Sequence, residues 1–376
     1  MRTIELVNRS VRLSLSLTLI GLASCAHRPE NVFLPVATNP APGTSQVEML
    51  VATTRRASKI PGEMFGGERG DPAFADIVIS IPPDRVRKIG EVEWPKVIPA
   101  DPRREFATIS ATVLKRDEII SELHARLSRA PSRKVLIFVH GYNSRFDDAV
   151  FRFAQIVHDS GAKVVPLLFT WPSRGELLAY GYDRESANYS RDALEATLNY
   201  LVRDPSVSEV SVLAHSMGNW VTLEALRQMA IRNRGISTKI KSVMLASPDV
   251  DVDVFRTQLL SMGVRRPHLT LFVSNDDKAL KASQWLWGGT ARLGTVDAEV
   301  EPYRDLMERE NIDVVDLSRI NTADQLNHGK FSESPEVIRL IGRQLATGQP
   351  ITDQHLSLGD RIVGEIDSEL SGSVIP

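Results

Sequence analysis

Short apolar runs alternate with stretches of helical spacing along the chain from Arg133 to Leu345. An uninterrupted apolar run such as Val135–Val139 is typical of a strand buried on both faces of a sheet. Strands that alternate with helices favour right-handed crossovers, a parallel sheet and an α/β fold. The predicted strands are Val135–Val139, Lys163–Phe169, a run beginning at Val210, Ile240–Ala246, Leu269–Val273 and Ile312–Leu317. The predicted helices are Phe146–His158, Tyr189–Leu201, Val221–Ile231, Val252–Met262 and Pro335–Leu345.

The residues around Ser216 predict a sharp turn between a strand and a helix. Small residues stand two positions before it, Ala214, and two positions after it, Gly218. A turn that exposes a serine hydroxyl brings these two positions so close together that only small side chains fit. The start of the following helix directs free N–H groups toward a developing oxyanion. The pattern indicates a nucleophilic serine, and a serine that caps a helix is the alternative interpretation.

The composition is typical of a globular enzyme. The 376 residues are 42% apolar and 24% charged, which suffices for one large domain or two small ones. The net charge is −2 and no long basic run occurs, so nucleic acid is not expected as a partner. The sequence has no His-x-x-x-His motif or cysteine cluster, so neither a metal nor an organic cofactor is expected.

Residues 1–24 are predicted to be a lipoprotein signal peptide. Three arginines precede an apolar run, Leu13–Leu22, that is too short to span a bilayer. The run ends in Leu22-Ala23-Ser24-Cys25, which resembles the bacterial lipoprotein box, and Cys25 is the one cysteine of the chain. The resemblance implies that Cys25 carries lipid and anchors the protein to a membrane of the bacterial cell envelope, facing the periplasm. A secretory peptide with an accidental cysteine is the alternative.

Residues 25–46 are predicted to be an extended tether, because four prolines stand among small and polar residues. The folded domain is expected to cover residues 47–346, followed by a polar tail, residues 347–376, with little pattern.

Residues 47–130 are predicted to form an antiparallel edge of the same sheet, with a small independent domain as the alternative. Val47–Thr53 and Ala75–Ile81 have strand patterns, and a turn rich in glycine (Gly62, Gly66, Gly67, Gly70) is expected between them. Arg85–Asp101 is predicted to be loop and strand, and Arg116–Leu127 a helix.

The first strand of the regular region ends in Phe138-Val139-His140-Gly141-Tyr142-Asn143, which resembles the H-G-x turn of the α/β-hydrolases. The resemblance implies an oxyanion hole made by the backbone N–H groups of Tyr142 and Met217, the residue after Ser216. Gly141 lets the backbone approach a substrate closely. The resemblance also implies that His140 braces this loop by hydrogen bonds and is not the catalytic base.

The α/β-hydrolases place a nucleophile, an acid and a histidine base in that chain order. His328 follows the last predicted strand and precedes the last helix, where the resemblance places the base. The other histidines after Ser216 fit less well, since His268 stands before a strand and His355 lies in the tail.

The same resemblance places the acid after the penultimate strand. Asp277 is the first candidate, because it precedes an aliphatic residue, Leu280, at the family's spacing of three. Asp249, after the preceding strand, is the second candidate, and Asp276 is the third.

Three further segments, Val51–Arg55, Phe169–Ser173 and Ala246–Asp249, resemble a bacterial α/β-hydrolase family long catalogued as a domain of unknown function. The resemblance implies an esterase-like enzyme that includes the N-terminal strands, and it indicates no substrate.

Two aromatic-rich segments bear on substrate access. Trp171–Asp183 is either a lid over the site or a packed surface loop. Trp285 and Trp287 either line the cleft or pack in the core. The short interval between Ala246 and Leu269 leaves no room for a large cap.

The sequence therefore predicts a lipid-anchored serine hydrolase that acts on a small-molecule or lipid carboxylic ester with Ser216, His328 and Asp277. The alternatives are a non-catalytic envelope scaffold and a serine peptidase, which would use the same residues.

Overall fold

A nine-stranded sheet forms the centre of the protein within residues 29–36, 41–286 and 288–347, which the computed structural model describes. The strands are β1 (Ser45–Ala57), β2 (Phe65–Ile81), β3 (Ala107–Leu114), β4 (Lys134–Val139), β5 (Val165–Thr170), β6 (Glu209–His215), β7 (Ile240–Ala246), β8 (His268–Val273) and β9 (Ile312–Asp316). Their spatial order is β3-β2-β1-β5-β4-β6-β7-β8-β9. The β1–β2 and β2–β3 pairs are antiparallel, and the other neighbouring strands are parallel. The predicted mostly parallel α/β sheet with N-terminal antiparallel edge strands is confirmed.

Helices cover both faces of this sheet. Successive strand residues point to opposite faces, so Ile137 packs into one core and its neighbours Leu136 and Phe138 pack into the other. The helices in the described ranges are α1 (Arg116–Arg129), α2 (Phe146–Ser160), α3 (Tyr180–Arg203), α4 (Gly218–Asn233), α5 (Val252–Met262), α6 (Lys278–Leu286), α7 (Tyr303–Arg309), α8 (Lys330–Glu333) and α9 (Pro335–Thr347). Helices α1, α3, α4 and α5 contribute to the first core, and α2 and α9 contribute to the second.

Helix α3 is longer than predicted, because it begins at Tyr180 and not at Tyr189. Its first turns bury polar side chains, among them Asp183 and Ser186, so the apolar periodicity that marks a helix is missing there.

The glycine-rich segment is mostly strand, contrary to the prediction of a turn. Strand β2 begins at Phe65, so Gly66, Gly67 and Gly70 lie within it. The register between β1 and β2 shifts near Arg55, and a Cβ atom at Gly70 would lie 2.8 Å from the Cα atom of Arg56. The glycine therefore permits the close approach that an irregular strand pair requires. The strand predicted within Arg85–Asp101 is wrong, since these residues form a 3-10 turn and loop.

Residues 32–36 belong to the folded domain and not to a tether. Val32, Phe33 and Val36 are buried, and the Phe33 ring lies 5.2 Å from that of Phe146. The Thr108 hydroxyl donates a 2.7 Å hydrogen bond to the Val32 carbonyl. The backbone turns at residues 32–34 and places Val32 and Phe33 in the core with strand and helix residues, so the tether prediction was wrong for this segment.

The predicted signal peptide, Cys25 and the tail after Thr347 lie outside the described residues. Among the helices in the described ranges, none combines the length and hydropathy needed to cross a membrane.

Candidate active site

Ser216 occupies the turn between β6 and α4. Its φ of +52° lies in the left-handed region, which costs a non-glycine residue about 1–3 kcal/mol. Main-chain hydrogen bonds hold it there: its N–H donates to the Ala246 carbonyl (2.9 Å), and its carbonyl accepts from Asn219 (3.1 Å) and Asp249 (3.3 Å). The N-cap of α4 is Met217, with no side-chain cap, so the interpretation of Ser216 as a helix cap is wrong.

The small residues around Ser216 are required by close backbone contacts. A Cβ atom on Gly218 would lie 2.4 Å from the His140 carbonyl oxygen, and one on Gly141 would lie 2.8 Å from the Ser216 Cβ atom. Ala214 is fully buried. The end of β4 thus lies directly against the turn that carries Ser216.

Two backbone N–H groups beside Ser216 are available to an anion. The amides of Tyr142 and Met217 donate to no acceptor within the described ranges. The next amide, of Asn143, donates to the buried Asp183 carboxylate (3.3 Å) and is therefore occupied. The arrangement suits the oxyanion of a tetrahedral intermediate, which needs preorganised donors.

The structure brings His328 and Asp277 together. Asp277 is fully buried, and its Oδ2 atom lies 2.7 Å from His328 Nδ1. Its other oxygen accepts the Leu280 N–H (2.9 Å), which explains the predicted spacing of three, because Asp277 precedes α6 and caps it. Burial opposes the charged imidazolium, but the Asp277 carboxylate, together with the charges of Asp249 and Asp324, raises the pKa of His328 above its ordinary value.

The main chain of the His328 loop is held by groups that the sequence did not single out. Asp324 accepts the N–H groups of His328 (2.6 Å) and Gly329 (2.9 Å) through one oxygen. The ring of His215 lies 4.7 Å from that of His328, and its Nε2–H donates to the His328 carbonyl (3.2 Å). Burial and the nearby His328 hold the pKa of His215 well below its ordinary value, so it stays neutral.

His328 lies at the same edge of the sheet as Ser216, and no hydrogen bond joins their side chains in the part of the chain that is described. The contact from His215, the residue before Ser216, brings the His328 loop to the end of β6. In unliganded enzymes the hydrogen bond between a nucleophile and its base is often long and shortens when substrate binds.

Asp249 has partners other than His328. Its two carboxylate oxygens accept hydrogen bonds from Tyr180 and Ser283, both at 2.6 Å, and Arg292 lies 3.4 Å away. The carboxylate is thus committed to a buried network between α3 and α6.

Asp276 pairs with a buried lysine. Lys330 Nζ lies 2.7 and 2.9 Å from its two oxygens, and Asn327 donates to it at 2.9 Å. Burial alone would raise the pKa of Asp276, but the bonds from Lys330 and Ser274 lower it. Asp276 therefore stabilises the loop and does not contact His328 by hydrogen bonding.

The other two histidines considered as the base, His268 and His355, are not placed beside Ser216 by the structure. His268 lies 3.3 Å from Asp313, at the start of β8 and so at the opposite edge of the parallel sheet from Ser216. His355 lies outside the described residues.

His140 braces the loop by hydrogen bonds, as predicted. Its Nδ1–H donates to the Gly141 carbonyl (2.9 Å), and its Nε2 accepts from the Trp171 amide (3.1 Å) and the Thr170 hydroxyl (2.9 Å). Burial, assisted by the charge of Arg55, lowers the pKa of His140 to about 3. A histidine that remains neutral throughout the working range of most enzymes is suited to positioning.

A buried arginine organises the same region. Arg55, at the end of β1, donates to the carbonyls of Gly66 (3.0 Å), Ser173 (2.8 Å) and Ser144 (2.7 Å) and to the Thr170 hydroxyl (2.8 Å). Burial lowers its pKa to about 10, although Asp183 acts in the opposite direction. A charged residue at the end of an apolar strand is the signal that would have identified it.

The Trp171–Asp183 segment divides into a buried and an exposed part. Trp171 is fully buried, and its indole N–H donates to the His140 carbonyl (2.8 Å), so it belongs to the scaffold. Leu177 and Leu178 are exposed on a 3-10 turn, where the Tyr142 hydroxyl donates to the Leu177 carbonyl. Trp285 is 81% exposed and packs in no core, and Trp287 lies outside the described residues.

Comparison with known proteins identifies the family of the chain. A family model described as an alpha/beta hydrolase of unknown function (DUF900) matches residues 115–344, more than half of the chain. The uncharacterized protein alr1448 of Nostoc sp. is 23% identical over 148 residues, which cover 33% of this chain and 38% of that relative. The chain thus spans well under half of the relative's length.

Solved structures with low similarity include two proteins of esterase type and one peptidase. A lipase-esterase related protein from Clostridium acetobutylicum is 10% identical, covers 58% of this chain and 96% of its own, and has a TM-score of 0.33. The Pyrococcus furiosus esterase Pf2001 is 16% identical and has a TM-score of 0.34. The match covers 57% of this chain and 83% of the esterase. The Pyrococcus horikoshii acylaminoacyl peptidase is 10% identical and has a TM-score of 0.35. The match covers 85% of this chain and 44% of the peptidase. By the family match, the chain belongs to the DUF900 family of α/β-hydrolases.

Proposed function

We propose that the protein is a serine hydrolase of carboxylic esters. The observation that carries the proposal is the hydrogen bond between His328 and the buried Asp277, in a loop held against the end of β6. There, Ser216 has the strained left-handed backbone of a nucleophile at a strand-to-helix turn.

In the proposed mechanism Ser216 Oγ attacks the acyl carbonyl carbon while His328 Nε2 accepts the hydroxyl proton. The amides of Tyr142 and Met217 donate to the oxyanion, and Asp277 orients the imidazole and stabilises its charged form. His328 then transfers the proton to the leaving alcohol. Water, deprotonated by the same imidazole, hydrolyses the acyl-enzyme and restores Ser216.

A fluorophosphonate probe tests the nucleophile. An activated serine displaces the fluoride and forms a bond to phosphorus, so we expect one adduct on the full chain, located at Ser216 by mass spectrometry. Ser216→Ala should abolish labelling, while Ser211→Ala, a buried serine on β6, should keep it. A folded wild-type protein that is not labelled would favour the non-catalytic scaffold. Parallel rates on an ester and an amide of the same acyl group separate an esterase from a peptidase.

The pH dependence of ester hydrolysis should report His328. The base must be neutral, and its raised pKa keeps it protonated to a higher pH than an ordinary histidine, whose pKa is about 6.5. We therefore expect kcat/KM to rise with pH through an apparent pKa above about 6.5. His140 and His215 stay neutral and add no second limb in this range. A limb below the ordinary histidine value would contradict the assignment.

We also propose that Cys25 carries lipid and holds the domain at a membrane of the cell envelope. Support comes from the lipoprotein-like Leu22-Ala23-Ser24-Cys25 segment. Mass spectrometry of the mature N-terminus should find Cys25 modified by acyl groups, and Cys25→Ser should leave an uncleaved, unlipidated precursor. An unmodified N-terminus at another residue would refute the anchor.

A further inference from the structure

An apolar cavity of about 670 Å³, open to solvent where the exposed Pro72 and Ala196 line it, lies between α1 and α3 on one face of the sheet. We call it the α1–α3 cavity. Its floor is formed by β1, β2 and β5, with Leu50, Phe74 and Phe169 among the lining residues. Two alanines of α3 face it, Ala193 and Ala196, one helical turn apart, and their small size leaves the space open.

The cavity is separate from the candidate active site. None of Ser216, Asp277 and His328 is among its lining residues. Its volume lies within the range of about 300–1,000 Å³ that small-molecule sites occupy.

The wall offers little to a polar ligand. The Thr197 hydroxyl already donates to the Ala193 carbonyl (2.8 Å), and the Thr53 hydroxyl donates to the Thr170 carbonyl (2.9 Å). The Tyr200 hydroxyl donates to Asp204 (3.2 Å). Ile119 and Leu123 of α1 complete an apolar wall. An apolar chain would gain the free energy of leaving water, and no buried polar group would lose its partner.

Two cations line the cavity where α1 begins. Lys115 and Arg116 are both exposed. Neither side chain forms an ion pair with a carboxylate in the part of the chain that is described. The nearby Glu118 carboxylate accepts the Lys115 backbone N–H (2.6 Å). Lysine and arginine side chains form charge-assisted hydrogen bonds with carboxylates, so this end of the cavity suits an anionic head group.

We propose that the α1–α3 cavity binds a long-chain fatty acid, with the alkyl chain between α1 and α3 and the carboxylate at Lys115 and Arg116. The site is a second binding site, and its occupation requires no chemistry at Ser216.

Binding is measured on the full chain carrying Ser216→Ala, so that no acyl-enzyme forms. Fluorescent cis-parinaric acid should bind, and palmitate should displace it. Ala196→Trp places an indole at the open side of the cavity, across the entry of the alkyl chain, and should weaken palmitate binding at least about tenfold. Ala125→Trp, at an exposed position of α1 outside the lining, is the matched control and should bind like the parent.

The head group is tested by charge reversal. Lys115→Glu with Arg116→Glu should weaken palmitate binding about tenfold and leave hexadecanol, the neutral alcohol of the same length, unchanged. Arg133→Glu with Lys163→Glu, exposed cations at the amino ends of β4 and β5, is the control.

Equal binding by parent and Ala196→Trp would overturn the proposal. Binding that appears only after residues 348–376 are removed would also overturn it, because the tail would then be the occupant. Loss of ester hydrolysis in the wild type would leave these titrations unaffected, so this inference and the hydrolase proposal fail separately.

Discussion

Asp277→Asn is expected to lower the turnover of a short-chain aryl ester by on the order of 10⁴-fold, close to the effect of Ser216→Ala. The amide keeps the shape of the carboxylate but can present an N–H to His328 Nδ1, which favours the wrong imidazole tautomer. It also removes the charge that raises the pKa of His328. The surviving activity should therefore have its acid limb at lower pH than the wild type. Steady-state kinetics against pH provide both readouts.

Asp249→Asn and Asp276→Asn are the controls for this variant, because each carboxylate has other partners. Asp249→Asn should keep most activity, since its hydrogen bonds go to Tyr180 and Ser283. Asp276→Asn should keep most activity per folded molecule but lower the melting temperature, because Lys330 then stays buried without a carboxylate. If Asp249→Asn were the inactive variant and Asp277→Asn nearly normal, the acid would be Asp249.

Gly218→Ala should destabilise the protein by about 3 kcal/mol or more, the upper range for overpacking in a rigid site. The added Cβ atom would lie 2.4 Å from the His140 carbonyl oxygen and 2.5 Å from that of Val139, and backbone atoms cannot yield as a flexible side chain does. The turn that carries Ser216 and the end of β4 would have to separate. Unfolding in denaturant measures the loss, and hydrolysis should fall with it.

Gly181→Ala is the matched control, because an added Cβ atom there meets no atom within 4 Å. Gly181 lies in the first turn of α3, where alanine favours the helix by up to about 1 kcal/mol. Equal stability changes in the two variants would show that the predicted clash at Gly218 is relieved by movement of the backbone.

The parts of the fold that follow from local patterns could be predicted. The buried strands β4 and β7 are uninterrupted apolar or nearly apolar runs, and Ser216 is flanked by the small residues that its turn requires. His328 and Asp277 could be selected because chain order and spacing restrict the choice to a few candidates. Their hydrogen bond agrees with that selection, while their catalytic roles stay a prediction.

The parts that depend on distant polar contacts could not be predicted. Arg55 donates hydrogen bonds to carbonyls that lie up to 118 residues away in the chain. Asp324 and His215 form hydrogen bonds with the main chain of His328. No local periodicity marks such groups. The buried Val32 and Phe33 were missed for a related reason, because the prolines around them suggested a linker, whereas their burial depends on β1 to β3 and α2.

The position of β1 limits how this protein can be divided. The family match begins at residue 115, yet β1 lies between β2 and β5 and pairs with β5 over Leu50–Thr53. A fragment of residues 115–344 would present the entirely buried β5 as an open edge, with unpaired backbone groups ready to associate with another chain. It would also lack Arg55. The N-terminal strands are therefore inseparable from the matched segment. A gene fusion or domain exchange that keeps the fold must cut before Val32, because Val32, Phe33 and Val36 are also buried in this domain.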